Sequence, residues 1–554
     1  MKRLFTTTTL LAAAVAGALA CTNFIVGKKA SKDGSVICSY SADSYGMFQG
    51  LVHYPAAKHQ KGEMLKVYEW DTNRYLGEIA QAEQTWNVIG NINEWQLTIG
   101  ETTFGGREEM VDTTGIIDYG SLIYITLQRA KNAREAIDVM TTLVEQYGYC
   151  SEGETFTICD PNEAWIMEMM GTASDRKIEK GRTVWVALRI PDDMICGHAN
   201  QSRITRFDMK DKTGNVRYSK NVVSYARKMG WFSGKDEDFS YNAAYAAPDF
   251  SGRRICDARV WSFFNRFIDG MDKYLPYVNG EDYTMEMPLY TQPKQKVTLR
   301  ALMQAMRDHY ENTPLDIRYG LGAGAYNMPY RPSPLSTKID GKEYYNERPI
   351  STQQTGFSIV AQMRSNLPDA VGGVAWWTND DPNMAAYTPV YCSVNEVPEC
   401  YVRIPDVQDE ITFSWKSAYW LSNTVANMVY PYYSKMFPDL EEARNELEFD
   451  YYDNQAGIEA KAMEMLKENP TKAKEFLTDY SQKSADKMME RWMQLFKFMV
   501  VKHNDMVLKP VENGKFKRSE YGYGATVKRP GYSEDYWKKI INESGDQYLM
   551  KEKK

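Results

Sequence analysis

The spacing of hydrophobic and polar residues predicts two strand-rich blocks early in the 554-residue chain and more strands late in it. Residues 22–43 read as two strands around the turn-forming residues 32–34, which is typical of a β-hairpin. Residues 84–106 predict two further short strands that end at a Gly-Gly pair. Strand patterns return in residues 154–200, which form the second block, and again in residues 356–394.

Helical periodicity lies between the two blocks. Residues 118–130 and 132–148 predict two consecutive helices. In the second helix, Asn132 is placed to cap the N-terminus, Glu135 follows three residues later, and Gly148 ends the pattern. This order of elements favours an α+β sandwich in which sheets pack on each other and helices lie outside.

The C-terminal section is predicted to be helical from about Ser414 onward. Its longest helical pattern begins at Asn469-Pro470, where Asn caps the helix and Pro occupies the first turn. A stripe of large side chains follows at helical spacing, and we expect it to pack in the core: Leu477, Tyr480, Met488, Trp492, Leu495 and Met499. The polar residues 511–537 are expected to wrap the surface.

Composition narrows the function classes. Hydrophobic residues make up 43% and charged residues 25% of the chain, as in an ordinary globular protein. A net charge of −7 with no long basic run argues against a nucleic-acid partner. No segment after the N-terminus is long and apolar enough to span a bilayer. The five histidines are far apart and no C-x-x-C or H-E-x-x-H occurs, so we expect no zinc site.

The eight cysteines do not form the dense pattern of a disulfide scaffold. If Cys21 is set aside, seven remain, so at least one stays unpaired in a monomer. The pairs Cys150/Cys159 and Cys392/Cys400 are close enough in sequence for bridges, and the sequence alone leaves both open.

The N-terminus has the layout of a secretory signal peptide. Two cationic residues are followed by an uncharged, largely apolar run that ends in Ala18-Leu19-Ala20. Cleavage after Ala20 would make Cys21 the first residue of an exported protein, periplasmic or extracellular. A lipoprotein signal usually has Leu three residues before its Cys, where this chain has Ala18; lipid anchoring at Cys21 is the alternative.

Such a cut would place a thiol and a free α-amine on one residue. A thiol reacts as thiolate, with an ordinary pKa near 8.5, and an α-amine has a pKa of about 7.7–8.0. The amine of Cys21 would therefore be a base beside its own nucleophile, so that no catalytic histidine is required. The competing interpretations of a leading Cys are a disulfide or a lipid anchor.

Several segments occur in a fixed order over about 370 residues. They are CTNFIVGKKASKDGS (21–35), SADS (41–44), NINEWQLTIGETTFGG (91–106), DPNEAWIMEMMG (160–171), WVALRIPDDMICGHANQSRI (185–204), DARVW (257–261), GFSIVAQMR (356–364) and TPVYCSV (388–394). In these segments the chain resembles the secernin-like dipeptidases. These are cysteine N-terminal-nucleophile (Ntn) hydrolases, distantly related to penicillin V acylase and bile-salt hydrolase.

The resemblance implies a four-layer αββα Ntn-hydrolase sandwich whose nucleophile begins a strand. Its implied domain organisation is a signal peptide over residues 1–20, the αββα domain over 21–405, and a helical C-terminal section and tail over 406–554 that pack on the core. It implies neither a metal nor an organic cofactor. The oligomeric state is left open.

The resemblance also implies a set of site residues. Cys21 matches the catalytic cysteine, and Asp43 matches the acidic residue that holds its α-amine. Asn200 matches an asparagine that donates to the tetrahedral oxyanion, a contact worth about 10²–10³ in rate. The residues alone leave alternatives open: Asp43 could be an ordinary aspartate in a turn, and Asn200 could be a loop asparagine that caps a turn.

Three further positions follow from the resemblance with looser alignment. Arg259 is the candidate for an arginine whose cation lowers the thiol pKa, with a surface or salt-bridged Arg as its alternative. Thr103 lies near a second oxyanion donor, through its hydroxyl or a backbone N–H. Tyr40 stands where many members carry Arg, so thiol activation and substrate preference are expected to differ. Glu94 and Glu168 are expected to be structural carboxylates.

Together these features predict an exported cysteine-type dipeptidase that cleaves short peptides with a free amino terminus by way of an acyl-enzyme. One alternative is the same chemistry on a non-peptide amide, such as an N-acyl amino acid, a penicillin or a conjugated bile acid. The other is a non-catalytic, lipid-anchored surface protein that binds peptides or glycans.

Overall fold

A computed structural model describes residues 21–44, 48–172 and 182–551. The predicted signal peptide, residues 1–20, lies outside the described residues. The strands are β1 Thr22–Val26, β2 Val36–Asp43, β3 His53–Tyr54, β4 Ala57–Lys58, β5 Met64–Tyr68, β6 Tyr75–Ala80, β7 Gln84–Thr85, β8 Val88–Ile89, β9 Ile92–Asn93, β10 Thr98–Gly105, β11 Gly153–Cys159, β12 Ala164–Gly171, β13 Thr183–Ile190, β14 Ile195–His198, β15 Val216–Tyr218, β16 Tyr290–Thr291, β17 Ser336–Ile339, β18 Lys342–Tyr345, β19 Thr355–Met363, β20 Val374–Asn379, β21 Thr388–Tyr391, β22 Val511–Glu512 and β23 Lys515–Phe516.

The helices alternate with these strands and dominate the C-terminal part. They are α1 Tyr119–Leu127, α2 Ala133–Tyr147, α3 Val222–Lys228, α4 Tyr241–Tyr245, α5 Ala258–Phe267, α6 Leu275–Val278, α7 Leu299–Ala305, α8 Asp369–Gly372, α9 Ala418–Val429, α10 Tyr433–Glu468, α11 Pro470–His503 and α12 Glu534–Ser544. The predicted α+β class with a helical C-terminal region is confirmed.

A seven-stranded antiparallel sheet is built around the predicted hairpin. Its strand order is β16-β14-β1-β2-β19-β20-β21. In the hairpin turn, the Asp33 carboxylate accepts hydrogen bonds from the backbone N–H and the hydroxyl of Ser35, at 3.1 and 2.5 Å. The hairpin pairs Thr22 with Ser41, so Cys21 enters the sheet beside the end of β2.

An eight-stranded antiparallel sheet holds the second set of strands in the order β15-β13-β12-β11-β10-β9-β8-β3. Side chains on a strand point alternately to opposite faces. On β12, Trp165 and Met167 face the helices α1 and α2 in one apolar cluster, whereas Ile166 and Met170 belong to a second cluster shared with β1 and β2. The two sheets therefore pack on each other, and α1 and α2 cover the outer face of this one.

The predicted start and end of α2 are confirmed. Asn132 accepts a hydrogen bond from the backbone N–H of Glu135 at 3.0 Å, and Gly148 follows the helix with a φ of 78°. A positive φ is strained for residues with a Cβ and free of strain for glycine. The sequence signals at both ends of this helix thus act through the expected backbone chemistry.

The C-terminal helices pack against the seven-stranded sheet and against each other. The Asn469 side chain caps α11 as predicted, by accepting from the N–H groups of Thr471 and Lys472. The predicted stripe on α11 is buried in the core, with Tyr480 partly buried. The longest helix is however α10, with 36 residues, whose interior Pro438 weakens its pattern in the sequence.

The tail after α11 carries short strands and α12, and none of the residues of α12 is buried. This agrees with the expected surface location. Within the described ranges, no helix combines the length and the apolar character needed to cross a membrane. All eight cysteines lie in these ranges and carry free thiols, so neither candidate disulfide is formed.

Candidate active site

Cys21 lies at the entrance to β1 and is 2% exposed. Its thiol contacts a carboxylate oxygen of Glu101 at 3.4 Å. Burial raises the pKa of the Cys21 thiol well above its ordinary value; Glu101 and Asp43 raise it further, and a hydrogen bond from the backbone N–H of Asp43 acts in the opposite direction. In the uncut chain the Cys21 nitrogen is a peptide amide, so the thiol has no amine base of its own.

Arg259, on helix α5, joins Cys21 to Asn200. Its guanidinium donates to the Cys21 carbonyl oxygen at 2.7 Å, to the hydroxyl of Thr22 at 2.8 Å, and to Asn200 Oδ1 at 3.0 Å. Burial lowers the pKa of Arg259 to about 10, which leaves it cationic at neutral pH. A planar guanidinium has donors enough to hold several acceptors at fixed angles. Arg259 thus fixes where Cys21 and Asn200 lie relative to each other.

The expected effect of Arg259 on the pKa of the Cys21 thiol stays a prediction. The guanidinium binds the backbone carbonyl of Cys21 rather than its sulfur. Burial is the main cause that raises the pKa of the thiol, and the acidic neighbours Glu101 and Asp43 raise it further. Arg259 is therefore placed to position Cys21.

Asn200 and Thr103 meet beside this arginine. Asn200 has a φ of 59°, a left-handed conformation that Asn tolerates better than most residues and that often marks functional sites. Its side-chain amide donates to the Thr103 carbonyl oxygen at 2.8 Å. The Thr103 hydroxyl donates to Glu154 at 3.1 Å. The structure brings both residues to the site, and their roles as oxyanion donors stay predictions.

Asp43, at the end of β2, is fully buried and forms an ion pair with Arg348. Its carboxylate also accepts from the hydroxyl of Thr355 at 2.7 Å. This partner was not predicted from the sequence, and Tyr40 stands where many members of the family carry an arginine. The positive charge beside Asp43 comes instead from a residue 305 positions away.

Tyr40 donates from its hydroxyl to Glu101 Oε1 at 2.5 Å, the same oxygen that the Cys21 thiol contacts. Glu101 lies on β10, and Glu154 lies diagonally across from it on β11. Burial raises the pKa of Glu154 well above its ordinary value, and the neighbouring Glu101 carboxyl raises it further. These two acids were not predicted from the sequence, because each is an isolated acid within a strand pattern until the strands pair.

The carboxylates left out of the predicted site are structural, as expected. Glu168 accepts from the Ser202 hydroxyl at 2.5 Å and from the backbone N–H groups of Arg203 and Ile204, and burial raises its pKa to about 7. Glu94 accepts from the backbone N–H of a neighbouring turn and pairs with a lysine of α11. Neither is bonded to Cys21.

The site therefore combines one thiol, one positioned side-chain amide and a set of buried carboxylates. Among the described residues, no group of three or more His, Cys, Asp or Glu side chains is arranged to hold a metal ion. A thiol next to amide donors suits nucleophilic attack on a carbonyl carbon, with an acyl group carried on sulfur.

Comparison with known proteins gives the family. The model of the peptidase family C69 matches residues 20–52 and 47–446. The chain is 27% identical over 393 residues to a protein of Salmonella dublin named "Probable dipeptidase", covering 67% of this chain and 81% of that protein. It is 23% identical over 446 residues to "Dipeptidase A" of Lactobacillus helveticus, covering 76% of this chain and 84% of that protein. The chain belongs to peptidase family C69.

Proposed function

We propose that this protein is an exported cysteine-type dipeptidase whose nucleophile, Cys21, becomes the first residue when residues 1–20 are removed. The observation that supports this most is the guanidinium of Arg259, which holds the Cys21 carbonyl oxygen at 2.7 Å and Asn200 Oδ1 at 3.0 Å. The dipeptidase names of the relatives support peptides as substrates.

We infer that the two packed sheets and their outer helices form the αββα sandwich of Ntn hydrolases. Helices α1 and α2 cover one sheet, and α5, α7, α9 and α11 contact the other. In that fold the nucleophile begins a strand between the layers, which is the position of Cys21 ahead of β1. The layer order supports the proposed chemistry, since a chain cut before β1 has its new amine at the centre of the site.

The reaction then uses groups of one chain. The α-amine of Cys21 takes the thiol proton, and the sulfur attacks the peptide carbonyl carbon. The negative oxygen of the tetrahedral intermediate accepts hydrogen bonds, for which the Asn200 amide is the proposed donor. The C–N bond breaks as the leaving amine takes the proton from the Cys21 ammonium. Water then attacks the thioester, returns a proton to the site and releases the acid and the thiol.

Asp43 is the proposed partner of the Cys21 ammonium during these steps. Both the backbone N–H and the carboxylate of Asp43 affect the pKa of the Cys21 thiol, which supports a location of Asp43 next to Cys21. The ion pair with Arg348 holds this carboxylate in place. Because the thiol pKa is raised in the uncut chain, the proposal also expects weak thiol reactivity before the cut.

The test combines the mature N-terminus with two variants. Edman sequencing and intact mass should give Cys21 as an unmodified first residue. Cys21→Ser and Cys21→Ala should lower dipeptide hydrolysis by about 10³-fold or more. Cys196→Ser is the matched control, because Cys196 is equally buried on β14 and has its pKa raised to about 12 by burial.

Three results would contradict the proposal. One is a Cys21→Ala protein with full activity, and another is a mature chain that starts elsewhere. A diacylglycerol on Cys21, or acylation of its amine, would favour the lipid-anchored alternative. A panel of dipeptides and non-peptide amides separates the remaining possibility, since hydrolysis of N-acyl amino acids, penicillins or bile conjugates alone would reassign the substrate class.

A further inference from the structure

The charged groups around Cys21 are mainly acidic, and two of them have no cationic partner among the described residues. The charged groups that act most strongly on the Cys21 thiol are all acidic: Glu101, Asp43 and Glu154. Asp43 forms an ion pair with Arg348. No ion pair within the described ranges includes Glu101 or Glu154, which are 1% and 0% exposed. The nucleophile therefore lies against a buried acidic pair without a cation.

Hydrogen bonds to Glu101 and Glu154 do not compensate for the missing cation either. Glu101 Oε1 accepts from Tyr40 and from the Cys21 thiol, and Glu154 Oε2 accepts from Thr103. Glu101 Oε2 and Glu154 Oε1 are buried and, apart from the other carboxyl, have no donor among the described side chains. Buried carboxylates without a cation are costly, so this pair favours a cationic group beside it. Within the described ranges no Lys, Arg or His side chain forms an ion pair with either carboxyl group.

The geometry of the attack on a peptide places the α-nitrogen of the substrate within reach of Glu101. At attack distance, a carbonyl carbon lies about 3–3.5 Å from the sulfur. The α-nitrogen of the same residue is about 2.5 Å from that carbon. An acceptor for that nitrogen must then lie within about 9 Å of the sulfur, given hydrogen bonds of about 2.7–3.2 Å. Glu101 satisfies this limit, because its Oε1 is 3.4 Å from Cys21 Sγ.

We propose that Glu101, supported by Glu154, binds the α-ammonium group of the residue whose carbonyl Cys21 attacks, and so restricts cleavage to the first peptide bond of substrates with a free amino terminus. This assignment rests on the proposed dipeptidase function and deepens it. Tyr40 holds the Glu101 carboxylate in place, and Thr103 holds Glu154. An ammonium that enters donates hydrogen bonds to both carboxyl groups.

Asp71, an acidic residue at the surface, also favours the binding of a cation near Cys21. Asp71 is exposed, and its carboxylate accepts from the Tyr119 hydroxyl at 2.8 Å. Partial burial of that carboxylate raises the pKa of Asp71 to about 6, and Glu101 is among the acids that raise it further. Asp71 and Glu101 are thus close enough to interact, and together they attract a cation toward the thiol.

The experiment compares two substrates on the processed protein. One is a dipeptide that the enzyme cleaves; the other is its des-amino analogue, in which hydrogen replaces the α-ammonium group. The wild type should prefer the dipeptide in kcat/KM by about 10- to 100-fold, the range for hydrogen bonds to a charged group. Glu101→Gln should lower the ratio of kcat/KM for the dipeptide to kcat/KM for the analogue by that factor, because any effect of Glu101 on the thiol is common to both substrates. Glu154→Gln should act in the same direction.

A matched control and a pH series complete the design. Glu168→Gln changes a buried carboxyl that is bonded to backbone N–H groups away from Cys21, so it should keep the substrate preference. The wild-type preference should decline as the pH rises through the amine pKa of the dipeptide, near 8, because the neutral amine loses the ionic contact.

Two outcomes overturn the assignment: a wild type that cleaves both substrates equally, or a Glu101→Gln protein that loses activity equally on both. The second result would mean that Glu101 positions the thiol. Glu154→Gln supplies the same comparison if Glu101→Gln fails to fold. Failure of the proposed function gives a different result, namely that no dipeptide is hydrolysed or that Cys21→Ala stays active.

Discussion

Replacing Arg259 by Lys tests whether one guanidinium sets the geometry of the active site. Arg259 donates to the Cys21 carbonyl, the Thr22 hydroxyl, the Ala199 carbonyl and Asn200 Oδ1, at 2.7 to 3.0 Å. A lysine ammonium is a single point with three donors and cannot bridge acceptors that lie on different elements. We expect it to keep about half of these hydrogen bonds.

The magnitude follows from the hydrogen bonds that lysine cannot form. Hydrogen bonds to a charged group contribute about 1.5–3 kcal/mol each, and relaxation recovers part of that amount. A net loss of about 3 kcal/mol corresponds to about 100-fold in rate. The loss should fall mainly on kcat, because Arg259 orients Cys21 and Asn200 and is not itself placed to bind substrate. The melting temperature should also decrease.

The assay is steady-state hydrolysis of a dipeptide by the processed wild type, Arg259→Lys and Arg266→Lys. Arg266 lies on the same helix but pairs with Asp308 and Glu311, outside the site. Arg266→Lys should stay within about threefold of the wild type. The reasoning fails if Arg259→Lys retains wild-type kcat, or if both variants lose activity to the same extent.

Two further predictions concern stability. Glu168 has its folded pKa raised to about 7 from an ordinary value of 4.5, so its contribution to stability is present below pH 4.5 and is lost as the pH rises through 7. The free energy of unfolding of the wild type relative to Glu168→Gln, measured in urea, should therefore fall by about 3 kcal/mol between pH 4.5 and 8, and a constant difference would contradict the burial argument. Trp492→Ala, in the core stripe of α11, should cost about 3–5 kcal/mol, whereas Trp537→Ala on exposed α12 should change stability by less than about 1 kcal/mol; equal losses in chemical denaturation would mean that α11 is not packed as described.

Much of the secondary structure follows from local patterns. The hairpin of β1 and β2, the helix pair α1–α2 and the late strands β19, β20 and β21 all lie where hydrophobic spacing predicts them. The caps at Asn132 and Asn469 form the predicted hydrogen bonds. These features involve residues a few positions apart, so a single sequence contains the information that specifies them.

The candidate site was predicted in part. The ordered segments pointed to Cys21, Asp43, Thr103, Asn200 and Arg259, and the structure places these residues in one connected network. The lowering of the thiol pKa by Arg259 stays a prediction, and the pKa of the thiol depends on a balance in which burial, Glu101 and Asp43 raise it. Such a balance depends on distances that spacing along the chain does not specify.

The sequence by itself determined the local elements, the charged and apolar layout of the N-terminus, and the residue that a cut after Ala20 would expose. Only the tertiary structure decided which charges surround that residue. Arg348 reaches Asp43 from 305 positions away, and the pairing of β10 with β11 brings Glu101 and Glu154 together against Cys21. The physical reason is that electrostatic interactions act through space, with a strength set by distance and burial, and both arise only when distant strands meet.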